Sequence, residues 1–160
     1  MHIRSFNQTD LARLIELTIE AFRPLHEEIY PSLFGQVIFA NQWGNWREDY
    51  HTEVAGLHDP QAHKYVAVAE ADGTIAGYAG WRLDPTTKYA CIEILAVDSD
   101  YRRNHIGTAL CEHALTQMRE LGAEMVEIRT GGDEFHAPAR ALYESLGCLQ
   151  YPTAAYYREL

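Results

Sequence analysis

The residues best suited to bind a ligand form a short basic stretch, Arg102 to His105, between two apolar segments. Before it, Cys91 to Val97 is rich in β-branched and apolar residues and predicts a strand, which ends at the turn-forming residues Asp98 to Asp100. After it, apolar residues recur at three-to-four spacing from Ile106 to Leu121, which predicts a helix with one buried face. A strand, a basic loop and a helix in this order direct unpaired backbone N–H groups and the positive end of the helix dipole toward one point. We therefore expect a phosphate or pyrophosphate to bind there.

Two blocks of the sequence resemble motifs of the GNAT N-acetyltransferase superfamily. In the first, Arg102-x-x-His105-x-Gly107 is similar to the acetyl-CoA motif Gln/Arg-x-x-Gly-x-Gly/Ala, with His105 in place of the first glycine. In the second, His136 to Cys148 is similar to the late pattern Asn-x-x-Ala-x-x-x-Tyr-x-x-x-Gly-Phe, with histidine replacing asparagine and cysteine replacing phenylalanine. The two blocks follow the family's order and spacing, and the resemblance extends from Lys64 onward. It implies an acetyl-CoA-dependent N-acetyltransferase whose cofactor site lies in residues 89–121 and 136–148.

The resemblance also implies which residues hold the cofactor. Backbone N–H groups at the end of the strand would polarise the thioester carbonyl, as in an oxyanion hole. The N–H groups of the loop and the guanidinium groups of Arg102 or Arg103 would bind the pyrophosphate. The predicted cofactor-binding residues are Leu95, Ala96, Val97, Arg102, Arg103, Asn104, His105, Ile106, Gly107, Thr108 and His136.

Two side chains are candidates for proton transfer. Tyr143 stands where the resembled pattern has a general acid toward the CoA sulfur, and a phenol is protonated at neutral pH; the alternative is a packing residue of an amphipathic helix. Glu93 falls where many relatives have a carboxylate that relays the amine proton. Strand alternation would place it on the same face as Leu95 and Val97; the alternative is an exposed or ion-paired strand acid.

An aromatic and acidic stretch, residues 25–60, falls where the resembled fold builds its acceptor pocket. Carboxylates beside aromatic faces suit a polyamine or an amino sugar. The alternative is that these aromatics pack in a helical core and that the acids are solvated. Asp133 belongs to a second polar cluster, with Glu134 and His136, which is otherwise a solvated loop. The predicted substrate-binding residues are Glu27, Trp43, Trp46 and Asp133.

The remaining pattern predicts a mixed α/β fold in a single domain spanning residues 1–160. Strands are expected at His2–Phe6, Lys64–Ala71, Thr74–Leu83, Ala123–Arg129 and Ala154–Leu160, besides the strand before the basic loop. Helices are expected from Thr9 to Pro24, near Ser32–Phe39 and Trp46–Leu57, and before Gly147. The element order βααβββαβαβ is that of the GNAT fold, a central mixed sheet flanked by helices.

Composition narrows the choice of partners. Thirteen Lys and Arg residues against 23 Asp and Glu residues give a net charge of −10, which argues against nucleic acid and favours a cationic partner, although acidity also serves solubility. No apolar run predicts a membrane span, and the N-terminus lacks the apolar segment of a signal peptide, so the expected location is cytoplasmic. The three cysteines have no paired spacing, and neither a disulfide nor a metal site is expected.

We interpret the chain as an enzyme that transfers acetyl from acetyl-CoA directly to a primary amine of a small cationic acceptor, either an aminoglycoside-type antibiotic or a polyamine-like amine. A homodimer is left open. One alternative is acetylation of protein N-termini or lysines. A second is a non-catalytic acyl-CoA sensor, which His105 in place of glycine keeps open.

Overall fold

The computed structural model describes residues Met1 to Leu160 and contains one five-stranded sheet with helices on both faces. The strands are β1 (His2–Ser5), β2 (Lys64–Ala71), β3 (Thr74–Asp84), β4 (Tyr89–Val97) and β5 (Met125–Ile128). The helices are α1 (Leu11–Pro24), α2 (Tyr30–Trp43), α3 (Trp46–Ala55), α4 (Ile106–Glu120) and α5 (Ala137–Ser145). None of these helices is long and apolar enough to cross a bilayer.

The sheet order follows the chain order, β1 to β5. The first four strands pair antiparallel, and β5 pairs parallel to β4 after the crossover through α4. This confirms the predicted mixed sheet, including the parallel pair. The Asp72-Gly73 turn also forms as expected, with positive φ at both residues, 53° and 75°.

Apolar side chains fill both spaces between sheet and helices. On one face, Leu14 and Leu17 of α1 and Val54 of α3 pack against the sheet around Val68 and Tyr78. On the other face, the buried side of α4 packs against β2, β3 and β4 in two adjoining clusters. The core therefore holds β4 between α1 and α4, and both helices position the loop that follows β4.

The helical segment between β1 and β2 is longer than the sequence pattern indicates. Helix α1 ends at Pro24 as predicted, but the chain stays helical, passing through a π-helix at Leu25–Ile29 directly into α2. Proline has no N–H to donate, and a locally wider helix accommodates the missing bond. A break inside α2 at Gly35, with φ of 76°, bends the helix.

The expected terminal strand, Ala154–Leu160, is wrong. Residues 149–160, here called the tail, have no regular secondary structure and make no backbone hydrogen bond within the chain. A strand needs a neighbouring edge with which to pair, and local β propensity cannot supply one. Tyr157 alone in the tail has an aromatic ring packed on other rings, those of Phe34 and Trp43 in α2.

Candidate active site

The loop before α4 presents a run of free backbone donors. The N–H groups from Arg103 to Thr108 form no hydrogen bond within the chain, and the N–H of Ala109 is the first to bond back, to the His105 carbonyl at 3.0 Å. Arg103 and His105 both adopt left-handed conformations, with φ of 66° and 57°. The chain therefore curls so that consecutive donors face solvent at the N-terminus of a helix, which is the arrangement that anions require. We call residues 103–108 the N–H cradle.

Asp98 holds the start of this loop in place. Its carboxylate accepts a hydrogen bond from the N–H of Asp100 at 3.0 Å and forms an ion pair with Arg13 of α1. The side chain of Asp98 is only 14% exposed, so this pair is better shielded than a surface salt bridge. The loop is thereby attached to α1, which packs on the face of the sheet opposite to α4.

Two backbone donors of β4 complete the cofactor side. The last paired residues of β4 and β5 are Ile92 and Ile128, so the two strands part beyond them. The N–H of Asp98 bonds Ala76 of β3, and strand alternation then turns the N–H of Ala96 toward β3 as well. The N–H groups of Leu95 and Val97 face the opening beside β5. Of the three predicted residues Leu95, Ala96 and Val97, Ala96 thus directs its N–H into the sheet and cannot donate to a ligand. A donor role for the N–H groups of the other two stays a prediction.

Glu93 occupies a β-bulge. Its neighbours Ile92 and Ile94 pair with Trp81 and Gly80, which leaves Glu93 as an extra residue on β4. A bulge interrupts the side-chain alternation. Glu93 bonds Arg82 Nε at 3.0 Å on the face covered by α1, whereas Leu95 packs toward α4. The predicted common face of Glu93, Leu95 and Val97 is thus wrong, and Glu93 is ion-paired.

Tyr143 lies on α5, packed into the cluster beside α4. Burial, reinforced by the nearby Cys111 and Cys148 thiols, raises the pKa of Tyr143 to about 12. The hydroxyl is therefore protonated throughout the neutral range, as a general acid must be, and burial also makes it a weaker acid than an ordinary phenol. Tyr143 is thus packed, as one expectation has it, and its role as the acid stays a prediction.

Four aromatic rings, here called the aromatic cluster, form a wall from α2 and the tail. Tyr30 and Trp43 have ring centroids 4.3 Å apart, Phe34 lies 5.0 Å from Trp43, and Tyr157 lies 5.0 Å from Phe34. Burial raises the pKa of Tyr30, and the charges of Asp133 and Tyr157 raise it further. Predicted residue Trp43 thus lies in an aromatic wall, whereas predicted residue Asp133 lies on the loop after β5, where its carboxylate bonds His136.

The other two predicted substrate residues are placed differently. Glu27 is ion-paired with Arg47 of α3, so its charge is already balanced. Trp46 is 8% exposed and stacks on His26 with centroids 4.7 Å apart, which makes it a support for the helices. The burial of His26 was not predicted from the sequence. No local pattern indicates it, because the surroundings of this residue come from three helical segments.

Comparison with known proteins agrees with this geometry. The profile of the Acetyltransferase (GNAT) family matches residues 16–148, and no curated protein matches the chain. The fold is similar to a mutant of the BH1408 protein from Bacillus halodurans, with a TM-score of 0.71, 20% identity and full coverage of both chains.

Two further structures are also similar in fold. AAC(6')-Iy in complex with the bisubstrate analog CoA-S-monomethyl-acetylneamine has a TM-score of 0.68 at 17% identity, covering 99% of this chain and 97% of that one. The ribosomal-protein-S18-alanine N-acetyltransferase from Escherichia coli has a TM-score of 0.62 at 23% identity, covering 91% and 76%. At such sequence identities these structures show only a similar fold. Membership of the family rests on the profile match over residues 16–148. The chain belongs to the acetyltransferase (GNAT) family.

Proposed function

We propose that this acetyltransferase transfers acetyl from acetyl-CoA to a primary amine of a small cationic acceptor. The observation that carries the donor assignment is the N–H cradle, residues 103–108, because a run of consecutive free donors at a helix N-terminus suits a pyrophosphate. The free N–H groups of Leu95 and Val97 would polarise the thioester carbonyl where β4 and β5 part. Arg102 and Arg103 would add charge-assisted bonds to the phosphates.

The acceptor assignment rests on the half-buried aromatic cluster and on the carboxylate of Asp133, whose charge acts on Tyr30. A carboxylate and aromatic rings together attract an ammonium group through charge and through the ring quadrupoles. The net charge of −10 adds a long-range attraction for cations. The similar structure AAC(6')-Iy holds an analog that joins CoA to an acetylneamine, in keeping with an aminoglycoside-type or polyamine-like acceptor.

Gly107 offers a test of the donor site. A Cβ on this residue would lie 3.4 Å from Leu142 Cδ2, an ordinary contact, so alanine should fit. Gly107→Asp adds a negative charge beside the bound phosphates, while Gly107→Ala adds the same Cβ without charge. We expect acetyl-CoA to raise the melting temperature of the wild type and of Gly107→Ala by mass action, and to leave Gly107→Asp unshifted.

Turnover with a panel of amines tests the acceptor. Release of free CoA should be fastest with polycationic amines, such as an aminoglycoside or a polyamine. Faster release with a peptide N-terminus would favour a protein substrate, and faster release with acidic amino acids would contradict a cationic acceptor. Binding of acetyl-CoA with no release on any amine would identify a sensor and overturn the proposed function.

A further inference from the structure

A histidine and a carboxylate form a pair on the loop after β5. His136 Nδ1 lies 2.9 and 2.8 Å from the two carboxylate oxygens of Asp133. The backbone N–H of His136 donates to the same carboxylate at 3.2 Å. Arg140 fixes the loop from behind, since its guanidinium donates to the carbonyls of Gly131 and Asp133 at 2.6 Å each. We call this pair the Asp133–His136 dyad.

The dyad determines which imidazole nitrogen is basic. A carboxylate only accepts hydrogen bonds, so Nδ1 carries the proton and Nε2 carries the lone pair. Burial alone would raise the pKa of Asp133, but the bonds from His136 outweigh it and hold that pKa below its usual range, so the carboxylate is ionised at neutral pH. No protein group bonds Nε2. The lone pair is therefore free for a ligand, and the ring is held in one orientation.

The loop touches both halves of the proposed site. It continues from Ile128, where β5 leaves β4, so it borders the opening at Leu95 and Val97. On its other side, Phe135 packs 6.4 Å from Phe22 of α1. Asp133 acts on the Tyr30 hydroxyl in the aromatic cluster. The loop therefore adjoins the opening on one side, and the charge of its Asp133 acts on the aromatic cluster on which we place the acceptor.

Space around the dyad is tightly constrained. A Cβ on Gly131 would lie 2.4 Å from both Asp133 Oδ2 and His136 Nδ1, so any other residue there would displace the side chains of the dyad. The side chain of His136 is 16% exposed, which leaves it accessible on one side only.

We propose that His136 is the general base of the transfer and that Asp133 is its positioning residue, an inference that rests on the proposed function. Nε2 takes a proton from the acceptor ammonium group, and the neutral amine attacks the thioester carbonyl carbon. The C–N bond forms and the C–S bond breaks. The thiolate takes the proton of the Tyr143 hydroxyl, and the second proton, which leaves the new amide nitrogen, returns through solvent to restore that hydroxyl. His136 then releases its proton to solvent, so the reaction yields the amide, CoA thiol and one proton. Glu93 is less suited to this role, because Arg82 already occupies its carboxylate.

The charged and titratable groups that face the dyad are few. Arg140 of α5 approaches the loop carbonyls, Tyr30 of α2 lies near Asp133, and Tyr157 of the tail lies near Tyr30. Burial raises the pKa of Tyr30, so this phenol stays neutral on the acid side of the profile. Glu134, between the two dyad residues in sequence, is exposed to solvent.

Three variants test the base. In His136→Asn, which restores the amide of the resembled motif, kcat/KM should fall about 10²- to 10⁴-fold, and its acidic limb should disappear. The dissociation constant of acetyl-CoA should stay within twofold. In Asp133→Asn, kcat should fall because the imidazole loses the carboxylate that orients it, and KM for the amine should rise because the charge near the aromatic cluster is also lost. Glu134→Gln, which removes the exposed neighbouring acid, should match the wild type.

A spectrum of the resting protein provides a second readout. Long-range ¹H–¹⁵N correlation spectra of the wild type should show the Nδ1–H tautomer of His136. The His136 signal is assigned by its absence in His136→Asn. A histidine that only holds the loop together, with no role as a base, need not keep this tautomer at every pH. An active wild type with an unchanged pH profile in His136→Asn, or an Nε2–H tautomer, overturns His136 as the base while leaving the proposed function intact. A wild type that binds acetyl-CoA and never turns over defeats both.

Discussion

Tyr143 and Glu93 behave differently once their surroundings are known. Tyr143 is packed beside Cys111 and Cys148 and stays protonated, which a general acid requires. Glu93 faces Arg82 from a bulge, and its charge is balanced. Of the two candidates for proton transfer, the structure therefore leaves the acid better supported than the base.

Replacing Tyr143 with phenylalanine removes the donor and keeps the ring. Because the ring packing is unchanged, folding and the acetyl-CoA dissociation constant should be unaffected. We expect kcat to fall by about 10²-fold, the low end for a lost general acid, since water can protonate part of the thiolate. Steady-state kinetics with a saturating amine measure the change.

Tyr151→Phe is the matched control, because that ring is 86% exposed on the tail, and it should retain the wild-type kcat. A kcat of Tyr143→Phe within twofold of wild type, with chemistry shown to limit turnover, would reduce Tyr143 to a packing residue.

The sequence predicts which residue types stand at candidate positions, but not which groups surround them in the fold. From the sequence Glu27 is expected to be a free acid, but in the structure Arg47, twenty positions away, neutralises it. Trp46 is expected to face the substrate, but His26 stacks on it. Residue type and motif position are local properties, whereas charge balance and burial depend on segments that the fold brings together.

The loop between β4 and α4 contains local strain. Left-handed φ costs a residue with a Cβ about 1–2 kcal/mol, and both Arg103 and His105 adopt it. The left-handed conformation of His105 explains why the resembled motif has glycine at this position, and histidine tolerates this region better than most residues do.

His105→Gly should therefore stabilise the protein. The gain is about 0.5–1 kcal/mol in the free energy of unfolding, after the greater backbone entropy of unfolded glycine is subtracted. Urea denaturation measures it, and calorimetric titration with acetyl-CoA shows whether the cradle also binds more tightly without the imidazole.

Lys88→Gly provides the control, since Lys88 has φ of 56° in a turn far from the cradle sequence. It should gain somewhat less stability than His105→Gly, because it also loses the exposed ion pair of Lys88 with Glu124, and acetyl-CoA affinity should not change. Destabilisation of His105→Gly would mean that the imidazole makes contacts worth more than the strain.

Elements were predictable where their signal is local. The strand Lys64–Ala71 and the start of α4 at Ile106 lie where periodicity and turn residues place them. The bulge at Glu93 and the absence of a strand in the tail could not be predicted in this way. Each depends on whether a neighbouring strand is present and in which register it pairs. The π-helix after Pro24 was equally hidden, since proline locally indicates only an end.

At the scale of the whole molecule, the helical segment from Leu11 to Ala55 links the proposed cofactor site to the proposed acceptor site. Its first helix carries Arg13, which anchors the loop at Asp98, and its second carries the aromatic wall. Between them lies His26, 5% exposed, with Nε2 3.0 Å from the Tyr50 hydroxyl and Nδ1 unpaired. The stability of this junction therefore depends on keeping the imidazole neutral.

Burial lowers the pKa of His26 from 6.5 to about 4. Between these values the unfolded chain binds a proton that the folded chain excludes. Stability from this residue is thus fully present above pH 6.5 and is lost as pH falls toward 4. Linkage gives a loss of about 2 kcal/mol in the free energy of unfolding between pH 7 and pH 5.

Urea denaturation of the wild type and of His26→Phe at both pH values isolates this contribution. Phenylalanine keeps the stack on Trp46 and cannot titrate, so the variant should lose about 2 kcal/mol less stability than the wild type on acidification. Carboxylates with lowered pKa, such as Asp10, also weaken the fold in acid, but they do so equally in both proteins. His51→Gln, at an exposed position on α3, should follow the wild type. Equal acid sensitivity of His26→Phe and wild type would show that the buried imidazole gains its proton without opening the junction.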